Sequence, residues 1–406
     1  MSQPQPSPGG NPALRSLNSL AVYVTLALCA GLAAASLTLV TPSLPALQHE
    51  LGISMAQLGG SQAAYLLCLA LPQLLYGSYS DRIGRRRPLI VGLTVFVIGS
   101  IGATFAFDVW SLTAARLLQA AGASAGMVVS RGIVRDMHPE GKMASVMGFL
   151  AMAMMVIPMI APALGGVVQD SFGWKGNFWL LASIGTGMII AAIIWLPNIR
   201  PPQGEQTPSL ATIRALLTSR RFNFFALQFG LSSSTNQLFF LTAPFVMERQ
   251  FAETPSAYGV WFSLPPLFYF AGNLISGVYA ERAGTVRMVR LGTLGAGIVC
   301  GLWVLFFSVW AVAPAGLFLV MASIALCHGL VTPSAVAGST GALATAFGLA
   351  SGLAGCMQAL LAAIVIVVVS SIGVATAIAL VWTLTAIAWL CVVLSQLLLP
   401  ARTETI

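Results

Sequence analysis

Charge is what this sequence has least of. Aspartate, glutamate, lysine and arginine make up 7% of 406 residues, against roughly 25% in a soluble globular protein. A water-facing surface cannot be built from so little charge, which excludes a soluble domain of this length. Cysteine is also sparse: the six are Cys29, Cys68, Cys300, Cys327, Cys356 and Cys391, with no CxxC pair or metal-ligand spacing. They read as small apolar fillers. No HExxH, Walker loop, nucleophile elbow or intramembrane aspartate pair occurs, so an enzyme lacks its catalytic groups. No span carries rings of charge or a carbonyl-filter motif, which speaks against a channel.

Apolar residues are present in abundance, at 57% of the chain. Lipid offers no partner to backbone N–H and C=O groups, so a bilayer span is a helix of about 20 apolar residues. Twelve such runs fall near 18–40, 54–79, 88–107, 111–133, 142–168, 175–196, 222–246, 256–280, 287–310, 313–333, 344–370 and 373–399. The expected organisation is an all-α integral membrane protein. A disordered tail, 1–17, precedes a six-helix bundle, 18–196; a linker, 197–221, leads to a second six-helix bundle, 222–399, and a tail, 400–406.

Lysine and arginine are unevenly distributed. Sixteen of the 19 fall on the side of the termini, while only Lys175 and Arg249 fall on the other and Arg116 lies within a span. Positive charge retained in short loops marks the cytoplasmic side. Both termini are therefore expected in the cytoplasm. The net charge of +8 then reports topology rather than nucleic-acid binding.

Within that pattern one stretch is dense: GSYSDRIGRRRP at 77–88 carries one acid and four arginines. Shifted by 200 residues, Gly77, Tyr79, Arg82, Gly84 and Arg87 recur as Gly277, Tyr279, Arg282, Gly284 and Arg287, and Asp81 recurs as Glu281. The chain is an internal duplication. Paired six-helix halves around a midplane site are a plan of secondary transporters.

The same stretch resembles the loop between helices two and three of the major facilitator superfamily, where it acts as a conformational latch. The resemblance assigns that role to Gly77, Asp81, Arg82, Gly84, Arg85 and Arg86, with Glu281 and Arg282 in the second copy. Asp81 is expected to face the start of helix eleven near 340–345, where unpaired N–H groups attract an anion. The glycines are expected to let backbones approach closely.

Three further stretches narrow the resemblance to drug:proton antiporters of the bicyclomycin and chloramphenicol resistance type. RLLQAAG at 116–122 is similar to the family's R-x-x-Q-G-x-G, with Ala120 replacing its first glycine. IPMIAPALGG at 157–166 is similar to the antiporter motif, in which Pro158 and Pro162 would bend a helix lined by Gly165 and Gly166. LVTPSLPAL at 39–47, with APFV at 243–246, resembles the group's helix-one and helix-seven stretches. Where that group carries a membrane-embedded aspartate, this chain has Thr38.

The departure matters, because an embedded carboxylate is the usual proton carrier. All eleven acids fall in loops or at helix ends. The resemblance implies efflux of small organic molecules by alternating access with proton antiport, acting as a monomer without cofactor or metal in a bacterial inner membrane. A dedicated exporter of one of the cell's own products, such as a siderophore, is the alternative to a multidrug pump. Both need only a small-molecule cargo, the bilayer and protons.

Candidate cargo or coupling residues follow from position. Arg116 is the one charge inside a span, near enough to the outer end of helix four that snorkelling is its alternative role. It could bind an anionic group of the cargo, or hold Asp108. His328 titrates near neutrality and could replace the missing acid, unless a backbone carbonyl holds it in the packed bundle. Helices one, four, seven and ten line the cavity in this superfamily, which selects Gln119, Asn236 and Gln237, with Tyr23 and Phe240 as aromatic surfaces. The lone Arg116 and absent acid suit a neutral or anionic cargo.

Overall fold

The computed structural model describes residues 12–137, 140–196, 210–343, 347–374 and 376–398. The termini beyond these, most of the linker and the expected contact at 344–345 lie outside the described residues. All regular structure among the described residues is helical. The first half holds α1 (Pro12–Thr38), a 3-10 turn (Thr41–Ser43), α2 (Leu44–Leu51), α3 (Met55–Ile83), α4 (Arg86–Thr104), α5 (Val109–Met137) and α6 (Glu140–Trp195). A linker helix, α7 (Leu210–Thr218), leads to α8 (Arg220–Phe251), α9 (Pro255–Phe262), α10 (Leu264–Ala283), α11 (Thr285–Val309), α12 (Pro314–Thr340), α13 (Phe347–Ile372) and α14 (Ala377–Leu397).

Among the described residues, eight stretches are long and apolar enough to cross a membrane. One of them, Val156–Trp195, has 40 residues. At 1.5 Å per residue it would measure about 60 Å, twice the hydrocarbon thickness, so it must cross twice. It turns at Gly173, the one residue inside α6 with non-helical dihedrals, φ 68° and ψ −178°. With α3, α8 and the α9–α10 pair, whose faces carry more polar residues, the crossings number twelve in two six-helix repeats. The backbone keeps helical dihedrals through Pro158 and Pro162, and the turn at Gly173 falls in the interval 169–174 left between the fifth and sixth apolar runs.

The duplication is written in backbone geometry as well as in residues. Gly84 and Gly284, 200 apart, end α3 and α10 with φ of 97° and 82°. Gly173 and Gly373, also 200 apart, turn helix five into six and eleven into twelve with φ of 68° and 76°. A side chain is strained at such angles. Nothing lies within 4 Å of a methyl placed on Gly277 or Gly284. In both copies the repeated loop glycine takes a positive φ, and in the second copy it has no backbone close by.

Two further boundaries differ from expectation. α1 begins at Pro12, within the expected tail. α12 runs through Pro333 to Thr340 and α13 begins at Phe347, so Thr340 closes helix ten and does not open helix eleven.

α5 starts with an aspartate cap. The Asp108 carboxylate accepts from the Ser111 N–H at 2.8 Å. The Ser111 hydroxyl, then its N–H, hold this exposed carboxyl below its ordinary range. A depressed folded-state pKa stabilises above the unfolded value and is lost as pH falls through the folded one. Asp108→Ala should lower the melting temperature in detergent at pH 7, and the difference from wild type should vanish below the carboxylate range. An equal deficit at both pH values would refute the cap.

Each half has its own apolar core, but the first-half core extends onto Leu241, Phe245, Ala362, Ala363 and Ile366 of the second half. The halves join at the end of the bundle away from the termini. There the Arg249 Nη2 donates to Gln48 Oε1 at 2.7 Å, and the N–H and hydroxyl of Ser256 both donate to Asp170 Oδ2. A methyl on Gly166 would collide with the Pro255 carbonyl, and one on Gly259 with the Pro162 carbonyl. At the terminal end, by contrast, the described polar contacts stay within a half. Arg86 donates to the Ile193 carbonyl and Arg220 to the Leu397 carbonyl at 2.7 Å.

Candidate functional site

Arg116 lies seven residues into α5, about 10 Å along the axis from its start. It does not snorkel: it is 6% exposed, and its head reaches sideways across the first half. Nη1 donates to the Ser36 carbonyl of α1 at 3.1 Å and to Gln119 Oε1 at 2.6 Å. Nη2 donates to Gln62 Oε1 of α3 at 3.4 Å. The guanidinium carbon stands 4.2 Å from the centroid of the Tyr65 ring, a cation–π arrangement that gains strength when desolvated.

Neighbours brace this seat. Tyr65 Oη and Ser36 Oγ share a hydrogen bond, and Gln119 Nε2 donates to Ser100 Oγ of α4 at 2.8 Å. Four helices thus position one cation with neutral partners. Gln119, expected to face a cavity, is 0% exposed and spends its carbonyl and an N–H on Arg116 and Ser100. It is a positioning residue. Asp108, offered as a partner for Arg116, caps α5 instead.

Ser36, Tyr65 and Ser100 were not singled out by sequence. Tyr65 had a signal: it follows Gln62 by three residues, so both share a face of α3. The serines had none, since small hydroxyl residues are common in spans.

The other candidates stand apart from this seat. Thr38 is 1% exposed and donates to the Ala34 carbonyl at 2.8 Å, which leaves no ionisable group at that position. Tyr23 is half-buried. Asn236 Nδ2 donates to the Ser232 carbonyl at 3.3 Å, and Phe240 meets Phe262 edge to face at 5.0 Å. Gln237 Oε1 is buried and has no partner among the described residues.

His328 is 2% exposed, and its Nδ1 has no partner among the described residues. α8 and α12 pack antiparallel, with Phe225 against Gly338 and Phe239 at 5.4 Å from Phe318. Midway between these contacts, His328 is level with Ser232, whose buried Oγ likewise has no partner among the described residues. Nearby, Asn273 Nδ2 donates to the Tyr269 carbonyl at 2.9 Å, Thr332 Oγ1 donates to the His328 carbonyl at 2.9 Å, and Gln358 donates to Ser233 Oγ at 2.7 Å. The second half thus presents neutral amides, hydroxyls and an imidazole, the first half a cation.

The expected latch residues divide. Arg85 is buried, donates to Asp136 Oδ2 of α5 at 2.7 Å and to Ser80 Oγ at 2.7 Å, so it grips its own half. Arg82, Glu281 and Arg282 are exposed. For Asp81 and Gly77 only the helical backbone is described. The antiporter-like stretch is placed at the join, with Gly165 against the Leu39 carbonyl and Gly166 against α9.

A family model described as Major Facilitator Superfamily matches residues 26–365. Multidrug resistance protein D of Escherichia coli (strain K12) is 25% identical over 348 residues, 85% of this chain and 86% of that protein. Chloramphenicol resistance protein of Pseudomonas aeruginosa is 27% identical over 69% of this chain and 67% of its own. Among solved structures, a bacterial homolog of the human lysosomal transporter Spinster, inward-facing and occupied, aligns with TM-score 0.74 at 16% identity, covering 96% and 97% of the two chains. A D-xylose-proton symporter aligns with TM-score 0.74 at 14% identity, covering 95% and 99%.

Proposed function

Since the chain belongs to the major facilitator superfamily, we propose that it exports small organic molecules by alternating access, driven by inward proton flow. It is a multi-pass membrane transporter. The observation that carries the export cycle is the join of the halves at the end away from the termini, through backbone contacts at Gly166 and Gly259 that can close and part. The names of the drug-resistance relatives support the direction of transport. We place the terminal, arginine-rich end in the cytoplasm of a bacterial inner-membrane protein. The cavity then faces inward to load, and the 77–88 loop acts as the latch when the halves rock the other way.

Proton coupling needs a titratable group at mid-bilayer. His328 with Ser232 at its level is the proposed carrier, because histidine changes charge nearest to physiological pH. The test is transport by the purified protein in liposomes, with chloramphenicol as probe. An imposed pH gradient, acid on the far side, should drive saturable uphill chloramphenicol movement and be dissipated by it, and His328→Gln should leave exchange but abolish uphill movement. Flux indifferent to the gradient in the wild type would defeat antiport, and flux without saturation would defeat the carrier.

A further inference from the structure

A buried cation needs charge compensation, and Arg116 lacks it. Its acceptors are a backbone carbonyl and two amide oxygens. Glu50 bonds Trp174 and pairs with Lys175, Asp108 bonds Ser111, Asp136 pairs with Arg85 and Asp170 bonds Ser256. Glu248 and Glu281 are exposed at helix ends. No carboxylate among the described side chains reaches the guanidinium. The seat therefore carries a full positive charge in a low-dielectric surrounding, where a lone charge is costly and an opposite one strongly attracted.

The donor count agrees. A guanidinium has five N–H groups. Nη1 uses both of its own and Nη2 uses one. Nε–H and one Nη2–H remain, two donors from the group whose planar fork matches a carboxylate. Gln119 and Tyr65 hold the fork in place through Ser100 and Ser36, so little ordering is left for a ligand to impose.

We propose that Arg116 is the anion seat of the cargo site and that the cargo is an organic carboxylate whose two oxygens take the Nε–H and Nη2–H donors. Gln62 flanks the seat and the Tyr65 ring supports the guanidinium face. The inference rests on the export reading above and specifies its substrate class.

Three probes of one shape test it: 2-naphthoate, neutral 2-naphthol and cationic 2-naphthylmethylamine, bound to the full-length protein in detergent. Naphthoate should bind at least about tenfold tighter than naphthol, and the amine should not compete. Arg116→Gln should abolish that preference, while Arg116→Lys keeps part of it, as a point charge without the fork. Equal binding of naphthoate and naphthol, or an undiminished preference in Arg116→Gln, would overturn the seat. Should Arg116→Gln fail to fold, discrimination among the three probes by the wild type decides alone. Naphthoate preference without gradient-driven transport would keep the seat and sink export; gradient-driven chloramphenicol transport without it would do the reverse.

Discussion

Gly259→Leu is expected to reduce transport at least tenfold while leaving the protein folded. Gly259 faces the Pro162 carbonyl and Ala163 across the join of the halves, and Gly166 faces the Pro255 carbonyl and Ser256 four residues away. A leucine side chain cannot enter that contact without pushing α6 and α9 apart. Overpacking costs about 1–3 kcal/mol, and here the strain is relieved by parting the halves rather than by unfolding either. A strain of that size shifts a two-state equilibrium by roughly 5–150-fold. The closed far end should therefore become the minor state, and leucine is itself a good helix former. The check is paired: liposome transport, and labelling of a cysteine placed at Gln48 by an impermeant reagent on the far side. Wild-type transport with Gln48 still protected would show that the contact does not control closure.

Asp136→Ala should be the most destabilising single change in the first half. Arg85 and Asp136 have side chains only 3% and 8% exposed and meet at 2.7 Å. Removing one partner of a buried pair leaves an uncompensated charge, at about 3–5 kcal/mol. Thermal unfolding in detergent should show a large fall in melting temperature. Asp136→Asn should fall less, keeping an acceptor without the charge, and Arg85→Met with Asp136→Leu should recover much of the loss, because the stranded charge is gone. A melting temperature unmoved by Asp136→Ala would mean that water reaches Arg85.

Much of the architecture could be read from sequence because lipid imposes a single rule. Every crossing must close its own hydrogen bonds, so each shows as an apolar run. The repeat was visible at Gly84 and Gly284 because the loop between helices needs the same turn in both copies. The parallel pair Gly173 and Gly373 escaped notice because the residues around them differ. Helix ten was cut short at Pro333 because proline reads as a terminator, yet the packed bundle carries the helix on to Thr340. The candidate site was less legible. Arg116 announced itself as a lone charge, but its partners Ser36 and Tyr65 lie 80 and 51 positions away in the chain. Contacts between helices follow rotation and tilt, which no periodicity within one helix records. For the same reason Gln119 looked like a cavity residue, whereas its amide bonds Arg116 and Ser100.

The buried Arg85–Asp136 pair exists in one copy of the duplication only. Two hundred residues on, those positions are Thr285 and Val336, and the corresponding loop is left without the ionic tie. The ancestral symmetry has thus become mechanical inequality. The first half is cross-braced by an ion pair where helices two, three and four meet, whereas the described tie at that corner of the second half is neutral, the Ser276 hydroxyl donating to the Leu330 carbonyl at 3.2 Å. A neutral tie of that kind is weaker than a buried ion pair, so the two copies of one corner no longer resist opening equally.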